Sequence, residues 1–392
     1  MAAALDVERL RRETPGVGHG IHLNSAGASL MPAPVVAALQ AHLALEAELG
    51  AHEAMARRAA ALAAVYDSLA RLLGAPAGSI ALTESATVGW QRIVYGLAFA
   101  PGDRLLIAGA EYGSNAIALA DIAARSGAAI EVMPADRYGA VDVEALGARI
   151  DARVKLLALS WIPTNGGLVE PAAAVGRLAR AHAIPYLVDA TQAVGHIPVD
   201  VGEVGCDFLT GAGRKWLRGP RGTGFLYARP GSERLFRPAV ADQWSATWRR
   251  GGGFAFREDA RRYESFEHAP GLRLGLGAAV DYALALGISG IRERIFALAG
   301  LLRSGLAAMP GIEVTDLGRE QAGLVTFRHA RRSASEIRAA LAAEGIRIGV
   351  SLPEHAPWDA EARRLPELAR LSAHCFVSEA EIVRCLERIE RL

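Results

Sequence analysis

Of the 43 basic side chains in this 392-residue chain, only two are lysines, Lys155 and Lys215. The rest are arginines, which stay protonated, so carbonyl chemistry through an amine has two candidates. Lys155 lies near the start of the apolar run Val154 to Leu159 and reads as a strand-end residue with its head in water. Lys215 lies in Gly211-Ala212-Gly213-Arg214-Lys215-Trp216, downstream of Val188-Asp189-Ala190-Thr191-Gln192. A strand-end carboxylate followed by a loop lysine suits pyridoxal phosphate. That cofactor needs a lysine for its aldehyde and an acid for its pyridinium nitrogen.

Other residues fit the remaining parts of such a site. Asp189 would keep the pyridine nitrogen protonated, and Gln192 would reach the ring hydroxyl. Ser85, the Ala86 N–H and Thr87 stand where a helix should begin, and a helix N-terminus with hydroxyls is a phosphate seat. Tyr112 follows a strand and suits stacking on the ring, though a half-buried structural tyrosine fits the spacing equally well. Arg214, Arg218 and Arg221 flank Lys215, and their field should lower its pKa and attract a phosphate. Ala28 ends the small-residue stretch Asn24-Ser25-Ala26-Gly27, where a ligand can approach backbone closely. Trp161, after the run ending at Leu159, is a second candidate wall for a substrate.

The elements that must position these residues alternate. Short apolar runs occur at 80–82, 105–108, 130–133, 154–159, 185–188, 208–209 and 225–227. Helical stretches at 86–98, 114–126, 143–150 and 171–183 separate many of them. This predicts an α/β fold with a doubly wound, mostly parallel sheet, whose ligands bind at the carboxyl ends of the strands. Residues 35–73 read as helices, and 230–272 as a long connection that needs a surface to cover it. One long helical stretch is expected from Leu274 to Met309, then a smaller α+β lobe with strands at 323–328 and 346–350. The expected division is a large unit, 21–272, and a small unit made of 1–20 and 273–392.

Composition sets bounds. A net charge of +1 argues against nucleic acid or an anionic membrane as partner. Cys206, Cys375 and Cys385 are too far apart for a disulfide framework or a zinc pattern, so no metal is expected. The N-terminal residues carry early acids and lack an apolar core segment, and no run is long enough to cross a membrane. A cytoplasmic protein is the expectation.

Five segments together resemble the class V aminotransferase family of pyridoxal phosphate enzymes, the fold-type I group that includes cysteine desulfurases. They are Leu23-Asn24-Ser25-Ala26-Gly27, Glu111-Tyr112-Gly113-Ser114-Asn115, Val188 to His196, Arg214-Lys215-Trp216 with Gly219 to Gly224, and Arg370-Leu371-Ser372-Ala373-His374. The resemblance implies that Lys215 binds the cofactor, that Tyr112 stacks where desulfurases carry histidine, and that Arg370 holds the substrate carboxylate. It also implies a homodimer with shared active sites and Glu267-His268 near the partner's cofactor. Two departures stand out. Ala212 replaces a serine that often touches the phosphate, and the segment 350–365 lacks the nucleophilic cysteine of desulfurases. The resemblance is nearest to C–S lyases of the hercynylcysteine sulfoxide type. The expected reaction is therefore β-elimination from a cysteine-derived substrate, releasing pyruvate and ammonia. Transamination with a 2-oxo acid and epimerisation are the alternatives, and desulfuration ranks below them.

Borohydride reduction of the cofactor-loaded protein, followed by peptide mapping, should place the added mass on Lys215. An adduct on Lys155, or none, would refute the lysine assignment.

Overall fold

The computed structural model describes residues 5–392. Residues 1–4, expected in the small unit, lie outside the described part. Among the described residues the largest sheet has seven strands, in the order Ile80–Thr83, Gly224–Ala228, Phe208–Ala212, Tyr186–Asp189, Val154–Ser160, Arg104–Ile107 and Ala129–Val132. Gly224–Ala228 runs antiparallel to both neighbours, and the other pairings are parallel. Alternate residues feed opposite faces, as the two-residue strand period requires. Leu105, Ile107, Leu187 and Phe208 join one apolar cluster, whereas Leu106, Leu157, Val188 and Leu209 join the other. Helices cover both faces, so the sheet is doubly wound.

A second sheet has five strands among the described residues, ordered Ile21–Leu23, Ile346–Ser351, Leu368–Leu371, Val325–His329 and Ile312–Val314. Ile21–Leu23, expected in the large unit, belongs here instead. Its residues pair in parallel with Ile346, Arg347 and Ile348. The reason is backbone satisfaction: a short buried strand needs a ladder partner, and this sheet offers an edge. The Leu368–Leu371 strand, which carries Arg370, had no alternating pattern to announce it.

The expected helix from 274 to 309 is two helices, Pro270–Leu286 and Ile288–Ala307, meeting at 82°. Gly287 sits between them at φ 81°, a conformation that side chains with a Cβ resist. The first of the pair packs on Ala33–Leu49 and Ala59–Leu73, which lie in the region read as helical. No single helix among the described residues is long and apolar enough to cross a membrane.

Carboxyl ends of the parallel strands bring the site together. Ser160 and Asp189 are paired neighbours at the ends of adjacent strands, and Thr210 pairs with Asp189 on its other side. Opposite them the helix Ala86–Val94 starts hard against Gly224. A Cβ built on Gly224 would lie 2.4 Å from the Ser85 carbonyl carbon, so only glycine lets the helix start settle there.

Candidate active site

Asp189 is 7% exposed at the end of its strand. Its Oδ1 accepts the Thr191 N–H and its Oδ2 accepts Asn115 Nδ2, each at 2.8 Å. Asn115 reaches a second acid with the same amide nitrogen. Glu111 Oε1 accepts Asn115 Nδ2 at 2.9 Å, the Tyr112 N–H at 2.9 Å and Ser160 Oγ at 2.6 Å. Glu111 Oε2 is buried with no partner among the described residues. Burial, then the charge of Asp189, pushes the Glu111 carboxyl up to about 7 against those three donors. Sequence reasoning treated Glu111 and Asn115 only as motif letters. Their i,i+4 spacing at a helix start was the available signal.

Lys215 is also 7% exposed. Burial lowers its ammonium to about 7, Arg214 and Arg370 add to this, and Asp189 opposes it. A large share is then free amine at neutral pH, the form that attacks a carbonyl or takes a proton. The sequence reading gave this work to Arg214, Arg218 and Arg221. Removal of water is in fact the larger cause, and Arg218 faces elsewhere. Its Nε donates to the Leu30 carbonyl at 2.9 Å and its Nη2 to Thr14 Oγ1 at 2.5 Å.

The pocket that holds Lys215 and Asp189 has a volume of about 280 Å³. Ser85, Ala86, Thr87, Tyr112, Gln192 and Arg214 line it as well, as do Ala212, Arg221 and Thr223. Ser85 caps the helix Ala86–Val94 through the Val88 N–H at 3.1 Å. That helix start and Arg221 both lie on the pocket lining, and each suits an anion. Tyr112 is half-buried, with its ring centroid 5.8 Å from Lys215 Nζ. Both ends of the Gln192 amide are engaged: Nε2 donates to the Ala26 carbonyl at 3.0 Å, and Oε1 accepts Trp216 Nε1 at 2.7 Å.

Arg370 comes from the other sheet and is 6% exposed. Its Nη1 donates to the Thr164 carbonyl at 2.9 Å and to Thr164 Oγ1 at 2.7 Å, and Thr164 lines the pocket. Its Nε is buried without a partner among the described residues, so the guanidinium retains donor capacity beside the pocket. Burial lowers it to about 10. Ala28 and Trp161 are not among the pocket-lining residues. The Ala28 carbonyl lies 3.0 Å from His22 Nε2, and the Trp161 N–H donates to the Asp189 carbonyl at 3.0 Å. Those backbone contacts fix both residues beside the pocket rather than on its wall.

This donor set fits pyridoxal phosphate: an amine for the aldehyde, a carboxylate for the nitrogen, a half-buried aromatic ring and an anion seat. None of Cys206, Cys375 and Cys385 lines the pocket, and all three are buried. Burial raises all three thiols, Cys375 to about 11 and Cys385 to about 12.

A family model described as aminotransferase class-V matches residues 21–384. The chain belongs to this family. It is similar to a cysteine desulfurase of Klebsiella pneumoniae (strain 342), 28% identical over 98% of both sequences. It is also similar to a cysteine desulfurase of Escherichia coli O127:H6, 31% identical over 74% of this chain and 72% of the relative. Among solved structures, the apo cysteine desulfurase from Thermococcus onnurineus NA1 superposes with a TM-score of 0.91, covering 100% of this chain and 99% of that one. At 23% identity that likeness speaks for the fold alone. The family establishes a pyridoxal phosphate-dependent enzyme with the fold-type I architecture read from the sequence. The expected reaction is corrected. Curated relatives matching along the chain are cysteine desulfurases, which overturns the reading of a C–S β-lyase of the sulfoxide type.

Glu111 gives a pH test. Its folded-state pKa of about 7 lies above the ordinary glutamate value, so the stability it contributes is present at low pH and is lost as pH rises toward and through 7. Glu111→Gln keeps the acceptor oxygen and removes this loss. In cofactor-free protein, the Tm of the variant minus that of the parent should increase between pH 5 and pH 8. A constant difference would mean that Glu111 does not titrate in this window.

Proposed function

We propose that this enzyme takes sulfur from a cysteine-type amino acid, as its desulfurase relatives are named for doing, and delivers it to a thiol from outside the chain. The observation that carries the first half is the buried Lys215 amine, brought to about 7 in a pocket shared with Asp189 and bordered by Arg370. The second half rests on the cysteines, each buried and none on the pocket wall.

Bound pyridoxal phosphate supplies an electron sink for negative charge at the substrate Cα. The chain's residues do the rest. Arg370 takes the carboxylate by charge-assisted hydrogen bonds and fixes Cα relative to Lys215. Lys215, as free amine, removes the Cα proton and returns one. Asp189 keeps the pyridine nitrogen protonated, and its own position is held by Asn115 and the Thr191 N–H. Sulfur leaves when an external thiol forms an S–S bond to the substrate sulfur. The Cβ–S bond breaks with its electron pair on carbon, and Cβ is protonated. Cysteine plus thiol becomes alanine plus persulfide, with atoms and electrons balanced.

We also propose a homodimer that covers the region 230–272. Trp248 is 73% exposed and Phe266 43%, an apolar surface that asks for a cover, and Glu267-His268 lies beside it.

Cofactor-loaded protein given cysteine and dithiothreitol should yield alanine and sulfide in equal amounts, and Cys375→Ala should leave the yield within about twofold, since no protein thiol takes part. Pyruvate and ammonia in place of alanine would overturn the reading. Light scattering of the loaded protein should give the mass of two chains, and a monomer with full cofactor occupancy would overturn the dimer.

A further inference from the structure

A cavity larger than the active-site pocket lies on the far side of one of its walls. Its volume is about 710 Å³, against about 280 Å³ for the pocket that holds Lys215. The segment 162–165 separates the two. Ile162 and Thr164 line the active-site pocket, and Pro163 and Asn165 line the cavity. On the outside the helix Pro357–Arg363 borders it, tied to the wall by Asn165 Nδ2 donating to Asp359 Oδ2 at 2.7 Å.

The lining is apolar with carboxylates set into it. Val132, Met133, Leu168, Leu317 and Trp358 supply the apolar surface. Glu170 is 3% exposed and lies on the same lining. Its Oε2 accepts the Val141 N–H at 2.8 Å, and its other oxygen makes no hydrogen bond among the described residues. That oxygen is not one of the sealed-in polar atoms either, so it opens onto the cavity. This buried carboxyl therefore has half its acceptor capacity left for a ligand.

The other charged groups set the sign. Asp136, Asp359 and Glu361 line the cavity with Glu170, against Arg137 and Arg363. Arg363 is engaged with Asp359 at 3.1 Å and with the Thr315 carbonyl at 2.6 Å, and Arg137 bonds Tyr138 Oη at 2.7 Å. With Glu170 ionised, four carboxyls thus face two guanidiniums, and Arg363 is already paired with Asp359, one of the four.

We infer that this cavity is a second ligand site, built for a small organic cation with an apolar body whose charge sits on Glu170. It stands independently of which reaction the neighbouring site performs. Burial, with Asp136, Glu111 and Asp359 adding, pushes the Glu170 carboxyl up to about 8, against the Val141 hydrogen bond. A permanent cation favours the ionised form, so binding should tighten as pH rises through that value.

The probe is benzyltrimethylammonium, whose charge does not titrate, added to the cofactor-loaded enzyme in a calorimeter. Its affinity should rise about tenfold between pH 7 and pH 9, because the ionised fraction of a group with pKa about 8 rises by that factor. Glu170→Gln keeps the acceptor for Val141 and should weaken binding at pH 9 at least tenfold, with the pH dependence gone. Ala362→Trp fills the cavity from an exposed position on the bordering helix and should abolish binding while the cofactor absorbance stays unchanged. Binding that is unaltered in both variants, absent at every pH, or matched by benzyl alcohol and benzoate would overturn the proposal.

Discussion

An amine kept out of water is the condition on which the site depends. In water a lysine is protonated and inert toward carbonyls, so the fold must make its charge unfavourable without making the residue inaccessible. Burial does most of this for Lys215, and the fields of Arg214 and Arg370 add to it. The loop around it is drawn tight: the Gly219 N–H donates to the Gly213 carbonyl at 2.8 Å. A Cβ on Gly213 would lie 2.2 Å from Thr223 Oγ1, so the turn that buries the lysine tolerates no side chain there.

The opposing charges come from separate layers of the fold. Asp189 stands on the seven-stranded sheet and Arg370 on the five-stranded one, and Thr164 joins them by accepting the arginine beside the pocket. Gly349 belongs to the same joint, since a Cβ there would lie 3.1 Å from Arg370 Nη2. The arrangement sets one acid and one cation close enough to the lysine to act on its charge with opposite sign.

Two buried acids tied by one amide form the other part of the design. Glu111 and Asp189 share Asn115, and in a medium of low dielectric two neighbouring carboxylates do not both ionise easily. Asp189 has two donors of its own and is the acid proposed to meet the cofactor nitrogen.

Several features were decided by the sequence alone. With two lysines in the chain, only one sits after a strand-end aspartate, and that pointed to the cofactor class that the family carries. Alternating apolar runs fixed the doubly wound sheet, because strand and helix periods leave different imprints on composition. Contacts between distant segments were left to the tertiary structure. Ile21–Leu23 joined the second sheet because an edge strand selects its partner by backbone ladder, which side chains do not announce. The 82° break at Gly287 needed a positive φ in an otherwise helical run. Glu111 became a titrating group only when the fold removed water from it and set Asp189 beside it. Arg218, adjacent in sequence to the site, was turned away to Thr14 and Leu30, whereas Arg370, more than 150 residues from Lys215, was brought beside it. Local pattern carries residue type and period; which charge stands beside which depends on chain reversals that no local pattern encodes.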